Sequence, residues 1–506
     1  MLPYMRSTRA NTQKQVVAFR GINYSDQTQD GELRDCLNLS ARRFPFLTTR
    51  RARRSHATYA GATAMTARGA LVVVQGTDLM LDGKVVGQVT AGEKQFAVLN
   101  TRMVIWPDQV YLDTTTGSVH PLGASVQGAD ASFTGDTMTV DWNADLHKLF
   151  KAGDCVTISG TGKNDKDVVV KSVSANKITV GKDKFTAEEC DGTVKIERRI
   201  PELDFICESE NRLWGCSSKT QTIYASALGD PTNFFVYEGV STDSYAVAVG
   251  TEGDFTGCCK LTSSVLFWKE AKLHKMLGSY PAEYSLYTYE IEGLQKGSHK
   301  SLQNINEVLY YLGLHGVYAY SGGMPSLISG NFGDRTFTKG VAGNDGDTYY
   351  LSVMEGDTPH LFLYETRSGL WMREDDTRAV DFARSGKDLY VLDTQGQVWI
   401  ADGGTEGTGL PWMAQFTPFY EGIEGRKRYT RLILRLEIPK GAWMQAEMRQ
   451  DGGNWRVCGK VIGKDMDAIP LLIPVNRCDK FEVKLSGEGP CTVKAMMLEY
   501  QMGSDV

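Results

Sequence analysis

The chain has 506 residues, a formal net charge of −6, 53 glycines against 15 prolines, and 10% aromatic residues. That length exceeds one ordinary core and predicts about three domains, and the glycine-, Tyr- and Trp-rich composition suits turn-dense β structure. No apolar stretch nears the roughly 20 residues of a membrane span, and the start Met1-Leu-Pro-Tyr-Met-Arg-Ser7 lacks a signal-peptide core, so a soluble protein not exported by that route is expected.

Residues 1–62 show no strong periodicity and read as an extended N-terminal segment. Within it, Arg42, Arg43, Arg50, Arg51, Arg53 and Arg54 form a run that contains no acid. Such a run is either a solvated arm or an arm that docks on an acidic partner or near nucleic acid, because Lys/Arg clusters bind phosphate without reading sequence. Only Phe44 and Phe46 interleave it, too few for a base-stacking site.

Residues 63–122 and 201–410 carry a recurring pattern of two short Val/Tyr/Trp/Leu-rich runs joined by a polar turn. It falls near 71–81, 103–112, 212–226, 265–276, 308–320, 349–364 and 389–400. These are hairpin signals at a period of roughly 40 residues, which predicts an all-β chain built around a β-propeller of six or seven blades. The pattern is interrupted at 123–200, where five short alternating runs predict an inserted small β-barrel, with a short helix or turn near 146–154. Residues 411–506 hold six further alternating runs, a C-terminal β-sandwich.

Little in the sequence points to catalysis. The ten cysteines include no C-x-x-C and the seven histidines no H-E-x-x-H, so buried thiols in a reducing cytoplasm are expected, with no disulfide frame, metal or cofactor. Propellers host hydrolases, but Asp204, Asp230, Asp254, Asp345 and Asp381 flank turns and single out no pair. Gln450-Asp-Gly-Gly-Asn-Trp455 resembles the Asp-box of sialidases; occurring once and outside the repeats, it reads as a hairpin turn with a packed Trp. The glycines of 401–410 lack the Lys and helix of a phosphate loop and read as a linker.

Four blocks resemble the tail nozzle, or packaged-DNA stabilisation, proteins of short-tailed bacteriophages. They are Phe19-Arg-Gly-Ile-Asn23 with the 30–40 and 45–50 stretches; Glu210-Asn-Arg-Leu-Trp214; Gly229-Asp-Pro-Thr-Asn233-Phe; and a closing set containing Asp451, Asn476, Arg477, Asp479, Gly487 and Tyr500. These are structural signatures: Gly229, Asp230 and Pro231 suit a tight turn, Asn233 an Asx-turn, and Phe234 an anchor.

The resemblance implies a virion protein of the tail, assembled in the host cytoplasm and without enzymatic activity. It implies a homo-hexameric ring at the end of the tail tube that meets tail adaptor or portal-side proteins and tail fibres and passes double-stranded DNA through its channel. A net-negative wall lets DNA slide, and the arginine run should then face another tail protein. The competing class is a glycan-binding or glycan-cleaving propeller. A dedicated nucleic-acid binder is disfavoured by the acidic balance.

Overall fold

The computed structural model describes residues 12–181, 184–404, 409–421, 426–463, 469–473 and 477–502. It is all-β, with one four-residue helix, Leu146–Leu149, at the position expected for a short helix or turn. The chain divides into two compact units, one of residues 62–66 and 70–299, the other of 1–61, 67–69 and 300–506.

Seven four-stranded antiparallel sheets have the form of propeller blades, six of them in consecutive-strand order. The first is Ala62–Arg68 to Lys84–Gln88, the second Gln95–Leu99 to Val119–Pro121, the third Phe205–Ser209 to Tyr245–Ala248, and the fourth Gly257–Leu261 to Ser285–Glu290. The fifth runs from Gln303–Ile305 to Ser326–Leu327 and the sixth from Thr338–Asn344 to Leu370–Asp375. Within each unit neighbouring blades meet through their first strands. Phe205–Ser209 lies beside Gln95–Leu99 and Gly257–Leu261; Thr338–Asn344 lies beside Gln303–Ile305 and Ala379–Ser385.

Burial falls along each blade as covering sheets would dictate. The second strands Arg212–Ser217 and Ser264–Trp268 are buried at every position, which a strand achieves only when both faces are covered. The last strand of the fourth blade, Ser285–Glu290, is exposed at five of six positions.

The seventh blade corrects the reading of residues 1–62 as an extended segment. Three of its strands, Ala379–Ser385, Asp388–Asp393 and Gln397–Ile400, are consecutive, but the fourth is Arg54–Thr58, paired antiparallel to Gln397–Ile400. Earlier residues of the same segment enter the sandwich. Thr12–Val16 pairs with Thr492–Met502, Leu33–Leu37 with Pro411–Phe416, and Leu47–Thr49 with Thr492–Met502. The sandwich is therefore discontinuous in sequence: a seven-stranded and a five-stranded sheet, each built from both chain ends. Lys427–Glu437 alternates buried and exposed along most of its length, and Phe19, Ile22, Leu33 and Cys36 share a core with Phe416, Leu432 and Phe481.

The insertion forms a closed barrel of six strands, in the order Ala124–Gly135, Thr137–Val140, Lys177–Val180, Lys166–Val173, Cys155–Ser159, Phe185–Arg198. One more strand is present than the alternation predicts. Ala124–Gly135 is fully buried at only two of its twelve positions and so shows little apolar period. The barrel has a core of its own, from Phe133, Met138, Val156, Ile178, Phe185 and Ile196 among others.

Candidate functional site

The Gly229–Phe234 turn leaves the third strand of the third blade, and its geometry joins that blade to the barrel. Gly229 takes φ +71°, open to glycine at no steric cost, and its N–H donates to the Asn211 carbonyl at 2.8 Å. The Asx-turn belongs to Asp230, whose Oδ1 accepts the Thr232 N–H at 3.1 Å. Asn233, expected to close an Asx-turn, instead braces the turn with its amide. It is only 3% exposed; the amide donates to Asp230 Oδ2 at 2.8 Å and to Asp154 Oδ1 at 3.0 Å, and its Oδ1 accepts the Cys155 N–H at 3.2 Å.

Asp154 is fully buried and also receives Arg198, whose guanidinium donates in addition to the Leu122 carbonyl. Lys151 bridges Asp230 at 2.7 Å. Burial opposes ionisation of Asp230, but the Lys151 and Thr232 hydrogen bonds override it and hold the carboxyl at about 2. Phe234 packs between the second and third blades with Trp106, Leu122, Leu203 and Leu213. The arrangement is a polar clamp with an aromatic peg; all of its side chains are committed to holding the barrel and the blades in register.

The arginine run does not project as an arm. Arg42 binds Asp345 and Asp402 and lies 3.8 Å from Glu365. Arg50 reaches Glu374 at 3.1 Å and Asn38 at 2.9 Å, and Arg53 holds Glu374, Asp375 at 2.9 Å and Thr377 at 2.8 Å. Burial works against the Arg53 charge, but Glu374 and Asp375 outweigh it and raise the guanidinium above its usual value. These three arginines fasten the N-terminal segment to the sixth and seventh blades.

Arg43, Arg51 and Arg54 are outward-facing or half-buried. Arg43 reaches Thr492 Oγ1 at 3.5 Å, and Arg54 sits on the last strand of the seventh blade. Arg43 and Arg51 line a cavity of about 330 Å³ with Arg42, Arg50, Asp402 and Thr492.

The Asp-box-like turn is a hairpin between Trp443–Gln450 and Arg456–Ile462. Asp451 Oδ1 accepts the backbone N–H groups of Asp479 and Lys480 at 2.9 and 2.8 Å, and Trp455 is covered by Arg449 at 4.7 Å. Asp479 lies 3.4 Å from buried Lys427, and Arg477 pairs in register with Arg428. The expected turn residues Arg477 and Asp479 thus support the sandwich. Asn476 and residues 503–506 lie outside the described residues.

The five aspartates considered for catalysis are each engaged. Asp204 accepts the Ser218 N–H, Asp254 pairs with Lys296, Asp345 with Arg42, Asp381 with Lys300, and Asp230 with Lys151. Among the described residues no group of three or more His, Cys, Asp or Glu could hold a metal ion, and no helix is long and apolar enough to cross a membrane. Sequence reasoning missed the two arginine partners, Glu374 and Asp154. It also missed a thiol cluster between the third and fourth blades, since no short spacing marks it.

No family model matches the chain, and no curated protein matches it. Solved structures that resemble it include the computationally designed protein Ika8, at 10% identity and TM-score 0.35, covering 69% of this chain and 97% of that one. Exo-β-1,3-galactanase from Phanerochaete chrysosporium gives 8% identity and TM-score 0.23, over 57% of this chain and 92% of the galactanase. Hsv2 from Kluyveromyces lactis gives 10% identity and TM-score 0.30, over 59% and 69%. Likenesses this distant carry no argument about activity. The sheets themselves define the class, an all-β protein with propeller-like blades.

Proposed function

We propose that this chain is a structural protein of a bacteriophage tail: a nozzle subunit without enzymatic activity that closes its seven blades into a propeller and assembles with itself into a six-membered ring. In the tail that ring retains packaged DNA and forms the exit channel, contacting adaptor or portal-side proteins above and tail fibres beside it. The observation that carries this reading is the clamp. The block that resembles tail nozzle proteins, Gly229 to Phe234, is spent on holding a loop rigid against the barrel, with Asn233 and Asp230 tied to Asp154 and Lys151. A rigid loop suits a subunit that must pack against neighbours under load, and an overall charge of −6 suits a wall along which DNA slides.

On this reading the arginines that face a tail partner include Arg43 and Arg54, since Arg42, Arg50 and Arg53 are held by carboxylates of the same chain. The test is electron microscopy of the purified protein alone and with host capsule, peptidoglycan and sialosides as substrates. Six-fold class averages and no cleavage are expected. A monomer that cleaves a glycan, with cleavage abolished by one Asp or Glu substitution, would replace this reading by the glycan-cleaving one.

A further inference from the structure

Cys207, Cys216 and Cys258 sit 9 and 42 residues apart in sequence but share one apolar seam. Cys207 lies on the first strand of the third blade, Cys216 on its second, and Cys258 on the first strand of the fourth. The first strands of these two blades are neighbours. The seam between them is built from Trp214, Ile223, Val265, Phe267 and Met276, with Cys216 inside it and Cys207 and Cys258 packed at its margin. The Cys258 thiol lies within reach of both the Cys207 and the Cys216 thiol. Cys259, next in sequence, points to the other face of the strand and accepts the Trp268 indole N–H at 3.5 Å.

Cys216 is fully buried, whereas the residues Cys207 and Cys258 each keep part of their surface exposed at the edge of the seam. We propose that Cys207 and Cys258 are a modification site: a reversible disulfide that staples the third blade to the fourth, formed by exchange with a low-molecular-weight disulfide such as glutathione disulfide. The Cys207 thiolate attacks one sulfur of the oxidant, whose S–S bond breaks, and one glutathione leaves as a thiolate. The Cys258 thiolate then attacks the Cys207 sulfur of the mixed disulfide, and the second glutathione leaves. Two protein thiols are oxidised, one glutathione disulfide is reduced to two thiols, and the protons lost by Cys207 and Cys258 end on them.

The environment sets the rate. The hydrogen bond to Cys258, then burial, raises the Cys207 thiol well above its usual range, and burial first raises that of Cys258. The thiolate fraction at neutral pH is therefore small, and the exchange quickens with rising pH. Once formed, the bond closes a loop of about 50 residues and constrains the unfolded chain.

The experiment uses the full chain, native and in denaturant, with glutathione disulfide at mildly alkaline pH. Remaining thiols are trapped with N-ethylmaleimide, and the digest is sequenced by mass spectrometry. The expected result is that the Cys207–Cys258 link makes up at least about ten times the share of all protein disulfides in the native chain that it does in the denatured chain, because the fold holds these two sulfurs at high effective concentration. It should be accompanied by a rise of about 5 °C in melting temperature. Cys216→Ser and Cys259→Ser should leave the link intact, and Cys258→Ser should remove it. A share no larger in the native chain, a glutathione adduct on Cys207 that never resolves, or a native link from Cys207 to Cys216 in its place would each overturn the proposal. The native-to-denatured ratio of shares needs no variant, so it decides the matter even if a substitution impairs folding.

Discussion

The barrel of residues 124–198 and the N-terminal strands of residues 12–58 both read, in sequence, as additions to a repeat fold, yet they are built on opposite principles. The barrel pairs every strand with another of its own and encloses its own core. The N-terminal strands pair with none but the far end of the chain, apart from one short contact of Leu39–Ser40 with Leu47–Thr49. Autonomy follows from where a strand finds its hydrogen-bond partner. The barrel is held to its blade by a few buried polar groups, whereas the N-terminal strands are part of the sheets they complete.

The sharpest way to break that contrast is deletion of residues 12–58. The sandwich would lose four strands and the seventh blade its last, so cooperative melting of that unit should vanish; a deletion that still melts cooperatively would make the segment an appendage after all. Next in size is Asp154→Ala, which leaves buried Arg198 without its carboxylate and takes from the Asn233 amide one of its two carboxylate acceptors. Breaking such a buried pair costs about 4 kcal/mol, read as a lower denaturant midpoint.

Arg53→Ala should cost about 2 kcal/mol by leaving buried Glu374 to Arg50 alone. An exposed docking arginine would cost under about 0.5 kcal/mol, so the same denaturation curve separates the two roles.

The clamp should also be acid-sensitive. Asp230 is held at about 2 against an ordinary 3.8, so its contribution is complete above about pH 4 and is lost as pH falls toward 2. A shift of this size is worth roughly 2 kcal/mol. The stability difference between the protein and Asp230→Asn should shrink across that window, as melting curves at stepped pH would show. The smallest effect is expected for excision of residues 125–199 behind a Gly/Ser linker, since loop-closure cost changes slowly with length. Strand content per residue and cooperative melting should persist, and aggregation would show that the barrel supports the blades.

The blades were legible because each presents two apolar runs and a Gly/Asp turn within one local window. The barrel was legible for the same reason, except for Ala124–Gly135, whose two buried residues give little period. The N-terminal strands were not legible. Leu39–Ser40 and Leu47–Thr49 are two and three residues long, Arg54–Thr58 is almost wholly exposed, and the pairing that makes them strands lies hundreds of positions away. The arginine run was misread for the same reason. Its positive charge was visible, but Glu374 lies 321 residues beyond Arg53. In the turn block, Gly229 and Phe234 could be assigned from local chemistry, whereas Asn233 could not, because its partner Asp154 sits in an insertion 79 residues earlier.

That separation acquires a time axis on the ribosome. Thr58 emerges 339 residues before Gln397, against which it must pair, and Gln13 emerges 486 residues before Glu499. At roughly 5–20 residues per second, the first strands made wait on the order of 20 to 100 seconds with open edges before their partners exist. The barrel, complete within its own stretch, has no such wait. Translation speed and chaperone supply should therefore govern the yield of folded chain through residues 12–58, which are made long before the strands that complete them.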